Sequence, residues 1–575
     1  MSEVLISPGV FLQENDLSQI TQGPVQVGAA LIGPTVVGPV NTPTVVTSYS
    51  QYKSIFGASF VSGGANYEYL TSMAALSYFE QGGDSLLVTR VASGSYTAAT
   101  ASVTTNSTSA SFVLDTLSVG TIMNNVGGTV TNGALPSGSS ANVRWEIAGS
   151  DSGSGTFSLI IRRGDDYNNN KTILETWNGL SLDPNQNNYI AYVIGDQTQT
   201  PVLDEYGNYY LQTTGSYGNK SSYVRVKSVN LPTPGYFNSL GVARNEYTSS
   251  LPQNGSGSAN GAFGGALGSI LNGSAFNMFE SIPSTQGPNI QGISSTDYNV
   301  AISLLSNKDA YAFNVIYAPG LTNQNASSQI ASLTQLAQDR GDAIAVVDMV
   351  SYGQNISTVV SQAASYDNSY AATYWPWLQV RSRETGKLNF VPASTLIPAV
   401  YEYNDKVAAE WFAPAGLNRG GMSTVLQPER RLGTDQRNTL YTGRVNPIAV
   451  FPGVGTVIYG QKTLQAKASA LDRVNVRRLL IELKSYIGQI GETLVFEPNT
   501  QVTRNRFLNQ VNPYLESIQQ RQGVYAFQVV MDETNNTPDV IDRNQLVGTI
   551  YLQPTRTAEF IYLNFNILPT GTSFA

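Results

Sequence analysis

A βα alternation runs from Val25 to Val91, breaks off, and resumes from Tyr298 to about Ser365. In the first stretch VQVGAALIG and Thr44 to Thr47 read as strands, and Asn66 to Glu80 as a helix with Leu70, Met73, Ala74 and Ser77 on its inner side. Gly82 and Gly83 stop that helix, and SLLVTRV returns as a strand. In the second stretch FNVIYAPG from Phe313 is a strand, Ser327 to Arg340 a helix carrying Ile330, Leu333 and Ala337 on one face, and AIAVVD a strand ending at Asp348. Another helix opens at Ile356. Strands separated by helices pair in parallel and bury both faces. The two stretches therefore predict one α/β domain, residues 23–95 and 231–368, cut by an insertion.

Residues 96–230 turn to Ser, Thr, Gly and Asn with short alternating runs such as FSLIIRR, Phe157 to Arg163, which predicts an inserted, mostly antiparallel β domain. The run NGSGSANGAFGGALGS, Asn254 to Ser269, reads as a flexible connection. Gly255 and Gly257 are followed by Gly261, one position late for a dinucleotide-binding loop. Residues 369–558 read as an α+β domain: a helix from Ala470 to Ile490, and a second with Phe507, Leu508, Val511, Tyr514, Leu515 and Ile518 on one stripe and Pro513 as a kink point. Gly523 is that helix's stop, and strands Tyr525 to Met531, Leu546 to Leu552 and Glu559 to Ile567 follow. Residues 1–22 form an extended arm, because Pro8 restricts both itself and Ser7, and residues 559–575 a terminal strand or arm. A strand as short as Val10 to Gln13 needs a partner. The residues leave open whether its own domain or a neighbour provides one. The fold class is thus multidomain, α/β and α+β, with extended termini.

The chain has no histidine and no cysteine, which removes Ser-His-Asp triads, thiol nucleophiles, disulfides and the commonest zinc ligands. Ligands of open α/β sheets sit beyond the carboxyl ends of strands, which points to Pro319, Gly320 and Asp348. Nothing near them in sequence supplies a base, a metal shell or a phosphate loop, and Asp348 reads as a cap for the next turn. No catalytic, cofactor-binding or metal-ligating residue is expected, and the chain is not expected to be an enzyme. Charged residues make up 13% of the chain and the net charge is −8, the wrong sign for a nucleic-acid or membrane surface. The N-terminus MSEVLISPGV has no secretory pattern, and no apolar run is long enough to span a bilayer. Trp375, Trp377, Trp411 and Phe412 read as packing residues. Asp165 and Asp166, and Glu429 before Arg430, read as turn or surface residues.

Basic charge gathers at Lys462, Lys467, Arg473, Arg477, Arg478 and Lys484, around the first C-terminal helix. Arg473, Arg477 and Lys484 share one face of it, while Val476, Leu479, Leu483, Ile487 and Ile490 form the apolar one. A solvated side partly neutralised by Asp472 and Glu482 accounts for the pattern as well as a docking face does.

The run YAFQVVMDETNNTPDVIDRNQLVGTIYLQPTRTAEFIYLNF resembles the C-terminal domain of contractile-tail sheath proteins of bacteriophages, and PGVFLQE at Pro8 and YAATYWPWLQV at Tyr370 resemble other sheath segments. FEQGGDSLLVTRV, LSVGTIMNN and TWNGLSLDPNQNNYIAYVI do so too, in the family's order along nearly the whole chain. The resemblance implies a structural subunit, without cofactors, that polymerises as stacked hexameric rings around a tail tube and contracts to drive the tube through the host envelope. It implies inter-subunit arms at Pro8, Gly9, Val10, Phe11 and Leu12 and at Phe560, Tyr562 and Phe565, and a tube-facing set of Lys467, Arg473, Arg477 and Lys484. The implied partners are other copies, the tail tube protein, and baseplate and tail terminator proteins, with no direct nucleic acid and no membrane. The implied place is the virion tail, assembled in the host bacterial cytoplasm. A headless contractile injection particle carries the same sheath; a surface adhesin or lattice protein is the other class that the Ser, Thr and Asn richness suits.

Overall fold

The computed structural model describes residues 27–562, apart from 63–64, 126–127, 129–130 and 270–288. The arm expected at Pro8 to Leu12, and Phe565, lie outside the described residues. An eight-stranded sheet forms the centre of the body, in the order Thr44–Val46, Leu86–Arg90, Val27–Gly33, Phe313–Thr322, Ile344–Asp348, Ala371–Trp375, Asn446–Phe451 and Gly455–Ile458. The inner pairings are parallel, and the two edge strands, Thr44–Val46 and Gly455–Ile458, are antiparallel to their neighbours. This is the α/β architecture that the two alternating stretches predict, joined through Val27–Gly33 and Phe313–Thr322. Helix Ser327–Arg340 has its expected bounds, with Ile330, Leu333 and Ala337 buried. The helix expected from Asn66 starts later, at Leu70, because Ala65–Glu68 pairs as a strand with Ser59–Ser62. Helix Leu70–Glu80 is buried on nearly all sides, lying between the sheet and helix Ile397–Val407.

The sheet also corrects two boundaries. It continues past residue 368 through Ala371–Trp375 and Asn446–Ile458, so the body takes in much of what composition assigned to the C-terminal domain. The insertion in turn extends past 230. Antiparallel sheets built from Ala98–Thr104, Ala110–Val119 and Val224–Val229, and from Val143–Asp151, Thr156–Arg163 and Ile173–Ser181, meet at Phe112 and Phe157, whose rings stack at 5.5 Å. The glycine-rich run is bound to both of them. Gly264 exchanges backbone hydrogen bonds with Thr100 at 2.8 and 3.0 Å, and Gly255 with Ile147 at 2.8 and 2.9 Å. Gly261 has φ +77°, and a Cβ there would lie 2.0 Å from the Trp145 carbonyl oxygen. The glycines thus permit close approach of one backbone to another, and the flexible connection expected at Asn254 to Ser269 is a packed segment.

Charge inside the insertion was not legible either. Arg144 and Arg162 sit directly opposite each other on neighbouring strands, both essentially buried. Asp166, expected in a turn or on the surface, lies between them with its carboxylate wholly buried. It takes two hydrogen bonds from Arg162 at 2.8 and 2.9 Å, one from Arg144 at 3.3 Å and one from the Thr172 amide at 2.9 Å. Like charges opposed in a ladder repel, so the strand pair depends on the carboxylates beside it, and on the shared Asp166 above all. Glu146 adds a hydrogen bond from Arg162 at 2.6 Å, and Lys171 one to Glu146 at 2.7 Å.

Beyond the body, helices Val474–Glu492 and Gln501–Gln520 and the strands Val524–Val530 and Thr549–Pro554 form a second hydrophobic core, separate from that of the sheet. Leu479, Leu483, Phe507, Val511, Leu515 and Ile518 fill it, which is the stripe expected, and the second helix runs through Pro513. Trp411 reaches this core from the preceding segment and donates to the Arg521 carbonyl at 3.0 Å. Trp375 and Trp377 are buried in the first core, in keeping with a packing role.

Candidate functional site

The carboxyl ends of the central strands are closed. Pro319, Gly320 and Asp348 are buried beneath the turn Ala393–Thr395, which packs on Phe313–Thr322, Ile344–Asp348 and Ala371–Trp375. Asp348 accepts from the Ser394 amide at 3.2 Å and the Ser394 hydroxyl at 2.5 Å, so it caps this distant turn rather than the next one along the chain. Burial lifts its carboxyl to about 7 against the pull of those bonds. Among the described residues no group of three His, Cys, Asp or Glu side chains is placed to hold a metal ion.

The C-terminal hairpin offers a different kind of site. Val524–Val530 and Thr549–Pro554 pair in register from Val524 with Pro554 to Val530 with Thr549, and no other described strand joins either edge. One face rests on helix Gln501–Gln520. Tyr525 and Tyr551 stand on the other, 63% and 60% exposed. A two-stranded sheet is marginal by itself, and each open edge presents unpaired backbone donors and acceptors. The third strand expected from Glu559 does not form over its described part. Glu559 to Tyr562 has no strand pairing, and Phe560, Ile561 and Tyr562 are 71%, 75% and 87% exposed.

The basic helix beside the hairpin is attached to the body by its first turn. Arg473, its N-cap residue, donates to both Glu559 oxygens at 2.7 and 3.0 Å. Arg477 donates to the Ser369 hydroxyl at 2.5 Å and lies 3.8 Å from the centre of the Tyr370 ring. Arg478 forms an ion pair with Asp405 and lies 4.7 Å from the Tyr401 ring. Arg473 in turn lies 5.9 Å from Tyr441, so each of the three guanidiniums meets a tyrosine face of the body, while the acceptor is on the body for Arg477 and Arg478 and in the C-terminal segment for Arg473. Desolvation lowers the Arg477 guanidinium; burial also pulls the Arg478 guanidinium down, but the charge and hydrogen bonding of Asp405, with Tyr401 and Glu410, together outweigh it and raise that group.

These contacts divide the predicted tube-facing set. Lys467 and Lys484 are exposed; Lys484 donates to the Tyr370 hydroxyl at 3.0 Å and keeps its ammonium at the surface. Arg477 is 4% exposed and Arg473 is occupied by Glu559 and Asp472. The helix periodicity placed Arg477 and Lys484 on one face correctly, since both meet Tyr370. What periodicity could not supply is that the body covers the first turn of that face. Glu559 and Asp405 were not singled out from sequence, and only tertiary contact gives them partners.

Residues 291–464 match the family model for the phage tail sheath protein central domain, and residues 466–568 the one for the phage tail sheath C-terminal domain. The junction between them falls where the chain leaves the first core for the second. A tail sheath protein of Vibrio phage KVP40 is 36% identical over 287 residues, covering 49% of this chain and 41% of the relative. The tail sheath protein of Enterobacteria phage T4 is 37% identical over 224 residues, covering 39% of this chain and 33% of the relative. The chain thus spans less than half the length of the curated relatives it matches. Among solved structures, the sheath tail protein Lin1278 from Listeria innocua superposes with a TM-score of 0.50 at 10% identity, over 92% of this chain and 95% of that one, a likeness of fold alone.

Proposed function

We propose, for a chain whose residues 291–464 and 466–568 belong to the phage tail sheath family, that it is the structural subunit of a contractile tail sheath. Copies stack as hexameric rings around a tail tube, and the sheath shortens to drive the tube through a host envelope. The protein works as a virion component and not as an enzyme, and it is assembled in the host cytoplasm with tube, baseplate and terminator proteins as its partners. A headless injection particle would use it in the same way.

The observation that carries this reading is the hairpin Val524–Pro554 with both edges open. Strands from other copies, one from an N-terminal arm containing Pro8 to Leu12 and one from a C-terminal arm containing Phe560, Tyr562 and Phe565, would complete it. Each added main-chain hydrogen bond contributes only about 0.5–1.5 kcal/mol net. Continuity matters more than strength here, because bodies joined by exchanged strands can rotate and slide without separating. Heterologous contacts that do not close on themselves generate such lattices.

Electron microscopy of the purified full chain tests the assignment. Tubes of stacked rings are expected, whereas a preparation of isolated particles or flat lattices would favour the adhesin or lattice class. For the tube contact, Lys467 and Lys484 are the candidates that stay available. Exposed ion pairs contribute roughly 0–1 kcal/mol each, which suits contacts that contraction has to release. The double reversal Lys467→Glu and Lys484→Glu should reduce co-assembly with the tube protein while leaving sheath-only polymers intact. Equal co-assembly of variant and parent would remove these lysines from the tube face.

A further inference from the structure

The segment between the hairpin and the exposed run Phe560 to Tyr562 is held chiefly at Glu559, with Thr557 beside it. Beyond the Thr555 amide, which donates to the Gly523 carbonyl at 3.1 Å, the backbone leaves the hairpin and pairs with no strand. Glu559 then gathers four hydrogen bonds from three separate parts of the molecule. Its Oε1 accepts from Arg473 Nε at 2.7 Å and Gln461 Nε2 at 3.1 Å, and its Oε2 from Arg473 Nη2 at 3.0 Å and the Tyr441 hydroxyl at 2.7 Å. Gln461, itself buried, also donates to the Thr557 hydroxyl at 2.5 Å. Tyr441 comes from helix Thr434–Thr442, Gln461 from the loop after the edge strand Gly455–Ile458, and Arg473 from the N-cap of the basic helix. Immediately after this clasp come three consecutive apolar side chains, all exposed. A carboxylate fixed from three separate parts of the molecule, followed at once by uncovered apolar residues, is what an anchored point of departure requires.

We infer that Glu559 is the anchor that fixes where the C-terminal arm leaves the body, and so sets the span between one copy and the copy its arm joins. This rests on the strand-exchange reading above. Charge-assisted, bidentate geometry gives the anchor a definite direction as well as a position. Without it the arm would depart from the end of the hairpin, and residues 555–559 would add up to about 17 Å of reach when extended. Copies would then be joined at variable distance.

Two measurements on the full chain separate the anchor from the reading beneath it. Arg556 is exposed beside the clasp and gives a tryptic site that can be cut only when the segment is released; Arg543, in the hairpin's exposed loop, is the internal control. In Glu559→Ala, cleavage after Arg556 should accelerate about tenfold or more relative to cleavage after Arg543, the scale of losing hydrogen bonds to a charged group. Glu559→Gln, which keeps the volume, should fall between Ala and the parent. In polymers of Glu559→Ala the axial repeat should become heterogeneous. Unchanged relative cleavage, or accelerated cleavage with a uniform, parental repeat, overturns the inference. Deletion of residues 560–575 addresses the other matter: if polymers still form normally, strand exchange fails, whatever the clasp does in the monomer.

Discussion

Asp166→Ala should destabilise the inserted β region by about 3–5 kcal/mol, the cost of leaving a buried charge without its partner. Arg144 and Arg162 face each other across the ladder, and both lean on this carboxylate. Glu146 still compensates Arg162, but Arg144 keeps only carbonyl acceptors, those of Asn260 and Gly133 among them. Burial and the neighbouring Arg162 already lower the Arg144 guanidinium in the intact protein. Asp166→Asn preserves volume and should fall close to the alanine variant, since charge and not packing is what is lost. Amide hydrogen exchange in Val143–Asp151 and Thr156–Arg163 reads the effect locally. A loss under about 1 kcal/mol, the level of an exposed ion pair, would mean that the network is structurally idle.

The second large effect concerns assembly. Removing residues 1–15 should abolish polymerisation while leaving a folded monomer. The eight-stranded central sheet and two well-filled hydrophobic cores are assembled among residues 27–562, which gives the body its own basis for stability. The hairpin Val524–Pro554 is supported from below by helix Gln501–Gln520 and keeps its shape, but one of its edges then has no arm to receive. Light scattering should report monomers, with helix content unchanged by circular dichroism. A folded truncation that still forms normal tubes would count against arm exchange, whereas loss of helix content would assign residues 1–15 to the body's own stability.

How much of this was readable in advance follows a physical line. Segments whose pattern is local came through: helix Ser327–Arg340, the stripe Phe507 to Ile518, and the strands on either side of the loop that contains Pro538–Asp542. Properties decided by distant partners did not. Ala371–Trp375 and Asn446–Phe451 join the central sheet through pairings that no local period announces, and Asn254 to Ser269 looks like a linker until Trp145 and Thr100 are brought beside it. The charged residues are the sharpest case. Arg477 and Lys484 carry equal weight in a helical wheel, yet Tyr370 and Ser369 bury one and leave the other at the surface. Asp166 resembles any turn aspartate in sequence, and its four-residue spacing from Arg162 would be informative only if the burial of both were known.

Which copy supplies the strands beside Val524–Val530 and Thr549–Pro554 decides between strand exchange and self-completion. A cryo-electron microscopy map of the assembled polymer, with side chains traced through both termini, answers that directly. Two further strands flanking the hairpin are predicted, one from each of two other copies, with Phe560 and Tyr562 leaving the clasp at Glu559 towards a neighbour. A map in which each copy folds both of its own ends back onto its own hairpin would contradict it.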